Sequence, residues 1–143
     1  MTTKDPLPGK NLMLAACRGD VHNDDPLLRS ASELAELHER RLGASREQAD
    51  AIDHERARLV REIDHWVCVQ LPPSLGAARV HTETIGAVVD RLGQFTACAF
   101  AALASGSKGE LGDAWERLAE LAIGYEDLKD EVSVGHRRLP GGP

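Results

Sequence analysis

Between Asp25 and Gly135 the apolar positions recur every three or four residues, and nowhere do they alternate as a half-buried strand requires. Asp25-Pro26 opens the first such stretch. The Asp side chain can accept orphan backbone N–H groups, and Pro at the first helical position gives up none that the helix uses. This predicts a helix over 26–42 with Leu27, Ala31 and Leu34 on one face and Gly43 as a left-handed stop. Ser45 with Gln48 forms a capping box that starts a second helix over 46–70, and Pro72-Pro73 ends it by removing two donors. Its stripe is Ile52, Leu59, Val60, Ile63, Trp66 and Val67. Thr82 caps a third helix over 82–104. Ser107 with Glu110 opens a fourth over 108–134, whose stripe is Leu111, Trp115, Leu118, Ala122, Tyr125 and Val132. Helices joined by short connections predict an all-α chain folded as an antiparallel four-helix bundle. The bundle domain would span 25–136. Residues 1–24, rich in Pro, Gly, Asp and Asn, would be an irregular tail in which Leu12, Met13 and Leu14 are the residues able to dock. Residues 137–143 would be a C-terminal tail.

The third helix departs from simple amphipathicity. Ile85, Val88, Leu92, Phe95, Ala99 and Leu103 form the expected stripe, yet the opposite side carries Gly86, Ala87, Ala97 and Ala101, with few charges beyond Glu83 and Asp90. A helix apolar or small nearly all round is buried on two sides. It is therefore either the centre of the bundle or part of a subunit interface, and a homo-oligomer formed through this helix is one expectation.

Composition narrows the functions by exclusion. The formal charge is −6 and aromatic residues make up 3% of 143, so the chain lacks both the basic footprint and the stacking platforms of nucleic-acid binders. Cys17, Cys68 and Cys98 are odd in number, far apart and in no Cys-x-x-Cys pairing. That pattern argues against a disulfide framework or a thiolate zinc site and fits a reducing cytoplasm. "LAAC" at Leu14 to Cys17 looks like a lipoprotein cleavage box, but the charged, proline-containing stretch before it holds too few apolar residues for an export signal. No uninterrupted apolar run approaches the roughly 20 residues of a membrane span, so no membrane partner is expected.

The candidate chemistry begins with a repeat: Ile-Asp-His occurs at Ile52-Asp53-His54 and again at Ile63-Asp64-His65. That spacing is about three helical turns, so the pairs share a side but stand about 16 Å apart, too far to ligate one metal. They are border positions of an apolar stripe. "HER" at His38 and His54 never continues to His-Glu-x-x-His, and the single Glu-x-x-His at Glu62 and His65 lacks the second copy that a di-iron bundle needs. No phosphate-binding glycine loop or Gly-x-Ser-x-Gly is present, and neither a metal nor a cofactor is expected. His38 differs from His54, His65 and His81, which read as solvated, because it falls inside the stripe of its helix. A buried imidazole needs a partner. It is either a core histidine satisfied by a carboxylate or carbonyl, or a functional acid, base or ligand. The pairs Arg56/Asp64 and Asp90/Arg91 read as salt bridges at helix borders.

"RARLVREID" (Arg56 to Asp64), "ETIGAVVDRL" (Glu83 to Leu92) and "LHERRL" (Leu37 to Leu42) together resemble a bacterial family of small helical proteins, domain of unknown function 4254. Arg56 and Asp90-Arg91-Leu92 stand where that family's Arg-Asn-Asp-type and Asp-Arg-Leu-Ser-Ile-type motifs would place them. Ala57-Arg58 replaces Asn-Asp, and Gly93-Gln94 replaces Ser-Ile. The resemblance covers roughly residues 27–135 and implies no activity, but it directs attention to His38, Arg56, Asp64, Glu83, Asp90 and Arg91. Two readings follow. The chain is a non-catalytic module that binds a protein partner or its own copy, its polar residues fixing helix register. Alternatively, those residues line a pocket where Arg56 or Arg91 holds an anion and a carboxylate with His38 transfers a proton.

Overall fold

The structure, a computed structural model, describes residues 6–22 and 24–141. Five helices carry the described chain: α1 (Lys10–Cys17), α2 (Pro26–Arg41), α3 (Arg46–Gln70), α4 (Ile85–Ser105) and α5 (Lys108–Ser133). Among the described residues the regular structure is helical except for one short parallel pairing, β1 (Arg79–Val80) with β2 (Arg137–Arg138), in which Arg79 faces Arg137 and Val80 faces Arg138. The periodicity over 25–135 contains no strand signal because two residues are too few to show alternation.

Local chemistry sets most helix ends. Asp25 accepts the Leu27 and Leu28 N–H groups at 2.8 and 3.3 Å. The Ser45–Gln48 capping box closes in both directions, at 3.2 and 3.0 Å. Ser107 accepts the Glu110 N–H at 3.4 Å. Two expectations need correction. Thr84, not Thr82, caps α4, accepting the Ala87 N–H at 3.1 Å from an extended backbone. Gly43 is not a left-handed stop, since α2 ends at Leu42 in right-handed geometry; that role belongs to Gly106 after α4, with φ 74°.

α4 is the central helix, packed against α1, α2, α3 and α5. Ile85, Val89 and Leu92 are fully buried, and Gly86, Gly93 and Ala97 on other sides of the helix are buried too. Its length and mean hydropathy of 1.2 match a membrane span, with Asp90 and Arg91 its charged residues. The sequence pattern shows no such uninterrupted run because Gly, Thr, Gln and these two charges are scattered through it. Packing by four neighbouring helices accounts for the buried apolar positions from Ile85 to Ala99, whereas Phe100 and Leu103 further along are exposed.

The N-terminal segment is not the irregular tail expected of residues 1–24. Residues 10–17 are helical, "LAAC" lies inside α1, and Leu7, Met13 and Ala16 join the core. The cause is tertiary. Gly9 offers no side chain to cap α1, so the Glu126 carboxylate of α5 accepts the Lys10 N–H at 2.6 Å, while the buried Tyr125 hydroxyl donates to the Pro8 carbonyl at 2.6 Å. Residues 1–5 and 23 of that expected tail lie outside the described residues, as do residues 142–143 of the expected C-terminal tail. Arg137 and Arg138 of the latter are drawn onto the body by β2.

The predicted core stripes fail at one end. Leu103 is 54% exposed and Trp115 43%, with Phe100 at 43% beside them. They lie toward the α4–α5 connection, past Thr96, where the Cys17 thiol at the end of α1 is hydrogen-bonded. Beyond this point most residues of both helices face solvent.

Candidate functional site: an ion-pair chain between α2, α3 and α4

His38 is 5% exposed, placed by the apolar face of α2 against α4. Its Nε2 lies 2.8 Å from Asp90 Oδ1. The Arg56 guanidinium of α3 reaches the same carboxylate with two donors, Nε to Oδ1 at 3.1 Å and Nη2 to Oδ2 at 2.7 Å. Its third nitrogen, Nη1, donates to Asp53 at 2.6 Å, and Asp53 in turn accepts two bonds from Arg41 at 2.8 and 2.9 Å. The result is a continuous chain, His38–Asp90–Arg56–Asp53–Arg41, tying α2, α3 and α4 together, with two carboxylates alternating with two guanidinium groups.

Burial alone would raise the Asp90 carboxyl, but the hydrogen bonds from His38 and Arg56 outweigh it and hold the group below the usual carboxylate range. Asp90 in return raises Arg56 further above its ordinary value. Asp53, more exposed, is drawn down to about 2, chiefly by its hydrogen bonds from Arg41. Both carboxylates are therefore ionised at neutral pH. The bidentate geometry fixes the relative position of the helices, since a guanidinium fork accepts one orientation.

The structure divides the singled-out residues. His38, Arg56 and Asp90 converge; Asp64, Glu83 and Arg91 do not join them. Asp64 accepts the Gly86 N–H at 2.8 Å at the start of α4. Arg91 pairs with Glu83 at 2.6 Å and lies 5.8 Å from the Phe95 ring centre. The expected pairings Arg56/Asp64 and Asp90/Arg91 are thus replaced by Arg56–Asp90 and Arg91–Glu83. Eight residues along one helix advance about 12 Å, beyond the reach of an Arg56–Asp64 pair. Adjacent residues such as Asp90 and Arg91 point about 100° apart. Two members were missed, Asp53 and Arg41. The i,i+3 spacing of Asp53 and Arg56 was a usable signal. Arg41 sits on another helix, and its spacing reveals nothing. His54 and His65 are exposed, as read from the repeat, whereas His81 is half-buried with Nδ1 against the Glu83 backbone at 3.0–3.1 Å.

An open cleft of about 430 Å³ borders His38, Arg41 and Arg56, with Gln94 and Cys98 also in its wall. Cys98 is a free, exposed thiol. The Nε2 of His38 is engaged by Asp90 rather than by a nucleophile, and each guanidinium nitrogen of Arg56 already meets a carboxylate. Among the described residues no group of three or more His, Cys, Asp or Glu side chains is arranged to hold a metal.

The family model described as protein of unknown function (DUF4254) matches residues 34–140. The chain belongs to the DUF4254 family. Every member of the ion-pair chain lies within the matched segment, whereas α1 and the first turns of α2 precede it. No curated protein and no solved structure matches the chain. Within this DUF4254 protein, geometry alone assigns roles to side chains.

Proposed function

We propose that this DUF4254 protein is a non-catalytic assembly module whose long helices α2–α5 form an antiparallel bundle and whose α4–α5 hairpin pairs with a second copy. The observation that carries the reading is the exposure of Phe100, Leu103 and Trp115 on adjoining helices, at positions where Leu103 and Trp115 follow the core stripe. α4 and its following turn carry no charged residue from Leu92 to Ser107, so the α4 side of this face brings no like charges together between two copies, despite a net charge of −6. Beside Phe100 lies an apolar groove of about 100 Å³, lined also by Leu14, Trp115 and Leu118. A ridge and a groove on one face are what a two-fold interface uses, each copy supplying both.

The alternative, an anion held by Arg56 or Arg91 with His38 moving a proton, is less well supported. Arg56 and Arg91 already meet carboxylates of the chain itself. The polar chain instead serves as the register pin between helices. Sedimentation equilibrium tests the assembly reading. The wild type should form a dimer of modest affinity, with Kd on the order of 10 µM, and Phe100→Asp should be monomeric with an unchanged helical spectrum. A wild type that stays monomeric at about 1 mM, or a Phe100→Asp variant that still dimerises, would overturn it.

A further inference from the structure

A third cavity, of about 160 Å³, lies between the end of α3, the start of α4, the end of α5 and residues 137–141. Main-chain bonds hold the C-terminal segment there. The Leu75 N–H donates to the Gly135 carbonyl at 2.9 Å and the His81 N–H to the Arg138 carbonyl at 2.7 Å, beside the β1–β2 pair. Val67, Leu71, Val132 and Leu139 supply an apolar wall, and the charged residues in the lining are Asp64, Arg137 and Arg138, of which Asp64 and Arg138 are the two without an ion-pair partner among the described residues.

Neither of these two charges has an oppositely charged side chain within ion-pair distance among the described residues, although Asp64 accepts the Gly86 N–H. Asp53 and Asp90 each meet two basic side chains, but Asp64 has no cation within ion-pair distance among the described residues. Burial pushes its carboxyl above the usual range, outweighing the bonds from Gly86 and Thr84. Arg137 is held by Glu131 at 2.7 Å, which leaves Arg138, exposed and without a carboxylate partner among the described residues, as the uncommitted cation of the wall.

We propose that this cavity binds a small aliphatic α-amino acid, its side chain against Val67, Leu71, Val132 and Leu139, its ammonium facing Asp64 and its carboxylate facing Arg138. At about 160 Å³ the cavity suits a small ligand such as leucine or valine, well short of the roughly 300 Å³ where drug-sized or nucleotide pockets begin. A ligand with only a carboxylate would leave Asp64 without a counter-charge in an apolar wall, and an amine alone would leave Arg138 unmatched. The site is separate from the α4–α5 face and does not depend on dimerisation.

Calorimetric titration and methyl NMR with leucine, isoamylamine and 4-methylpentanoate test the assignment. Leucine should saturate with a Kd of about 0.1–1 mM and shift the Val67, Leu71, Val132 and Leu139 methyl signals. The two single-charge analogues should bind at least about tenfold more weakly. Asp64→Asn, which keeps an oxygen for the Gly86 N–H, and Arg138→Gln should each weaken leucine about tenfold with unchanged melting curves. Failure of leucine and valine to saturate by about 10 mM, equal binding of either analogue, or wild-type affinity in either folded variant would overturn the proposal. If Asp64→Asn does not fold, Arg138→Gln, altered at an exposed side chain, decides alone.

Discussion

Replacing Asp90 with Asn keeps the shape of the side chain and removes its charge, which isolates the electrostatic contribution of the ion-pair chain. The Asp90 side chain is 16% exposed, Arg56 22% and His38 6%, and three donor contacts at 2.7–3.1 Å converge on the one carboxylate. Removing one partner of a buried pair typically costs about 3–5 kcal/mol; with Arg56 still partly wet, about 2–4 kcal/mol is expected. That is a large share of a domain stability of about 5–15 kcal/mol. Urea unfolding followed by circular dichroism at neutral pH measures it. The sign of the pH dependence follows from the depressed carboxyl. A group held below its unfolded value contributes fully above the ordinary carboxylate range and loses that contribution as the pH falls through the folded value. The gap between wild type and Asp90→Asn should therefore close as the pH drops below about 4. Combining Asp90→Asn with Arg56→Met should cost less than the sum of the single changes by about 1–3 kcal/mol, because the second change removes the charge that the first one strands. A single-variant cost under about 0.5 kcal/mol, a gap that persists unchanged at low pH, or strict additivity would refute the register-pin account.

Gly86→Ala tests the close approach of α3 to α4. A Cβ there would stand 2.6 Å from Asp64 Oδ1 and 2.7 Å from the Val60 carbonyl oxygen. Overpacking of about 1–3 kcal/mol should exceed the helix-propensity gain of about 1 kcal/mol and lower the midpoint of unfolding, whereas a rise would contradict the geometry. Tyr125→Phe deletes the hydroxyl that donates to the Pro8 carbonyl. It should cost about 1–2 kcal/mol and speed proteolysis of the segment before Asp25, and an unchanged cleavage rate would show that α1 is held without that bond. Thiol titration should find Cys68 and Cys98 fast and Cys17 slow, since burial pushes the Cys17 thiol up to about 11. Three equally fast thiols would mean that α1 does not stay docked.

Features encoded within a few residues are readable from the chain alone. Ser45–Gln48 and Asp25-Pro26 place helix starts because capping partners lie two or three positions away, and the stripes of Ile52, Ile63, Val67, Leu118 and Val132 mark the core because a helix repeats its face locally. His38 was legible as buried and partnered for the same reason. Which carboxylate it meets was not, because Asp90 lies 52 residues away and only the packing of α2 on α4 joins them. Tertiary structure likewise decided that a weakly patterned segment with no cap of its own becomes α1, through Glu126 at a separation of 116 residues. It also decided that Leu103 and Trp115, core-like by periodicity, are left in solvent. Periodicity reports which face of a helix is apolar; what covers that face depends on distant segments whose arrival no local spacing records.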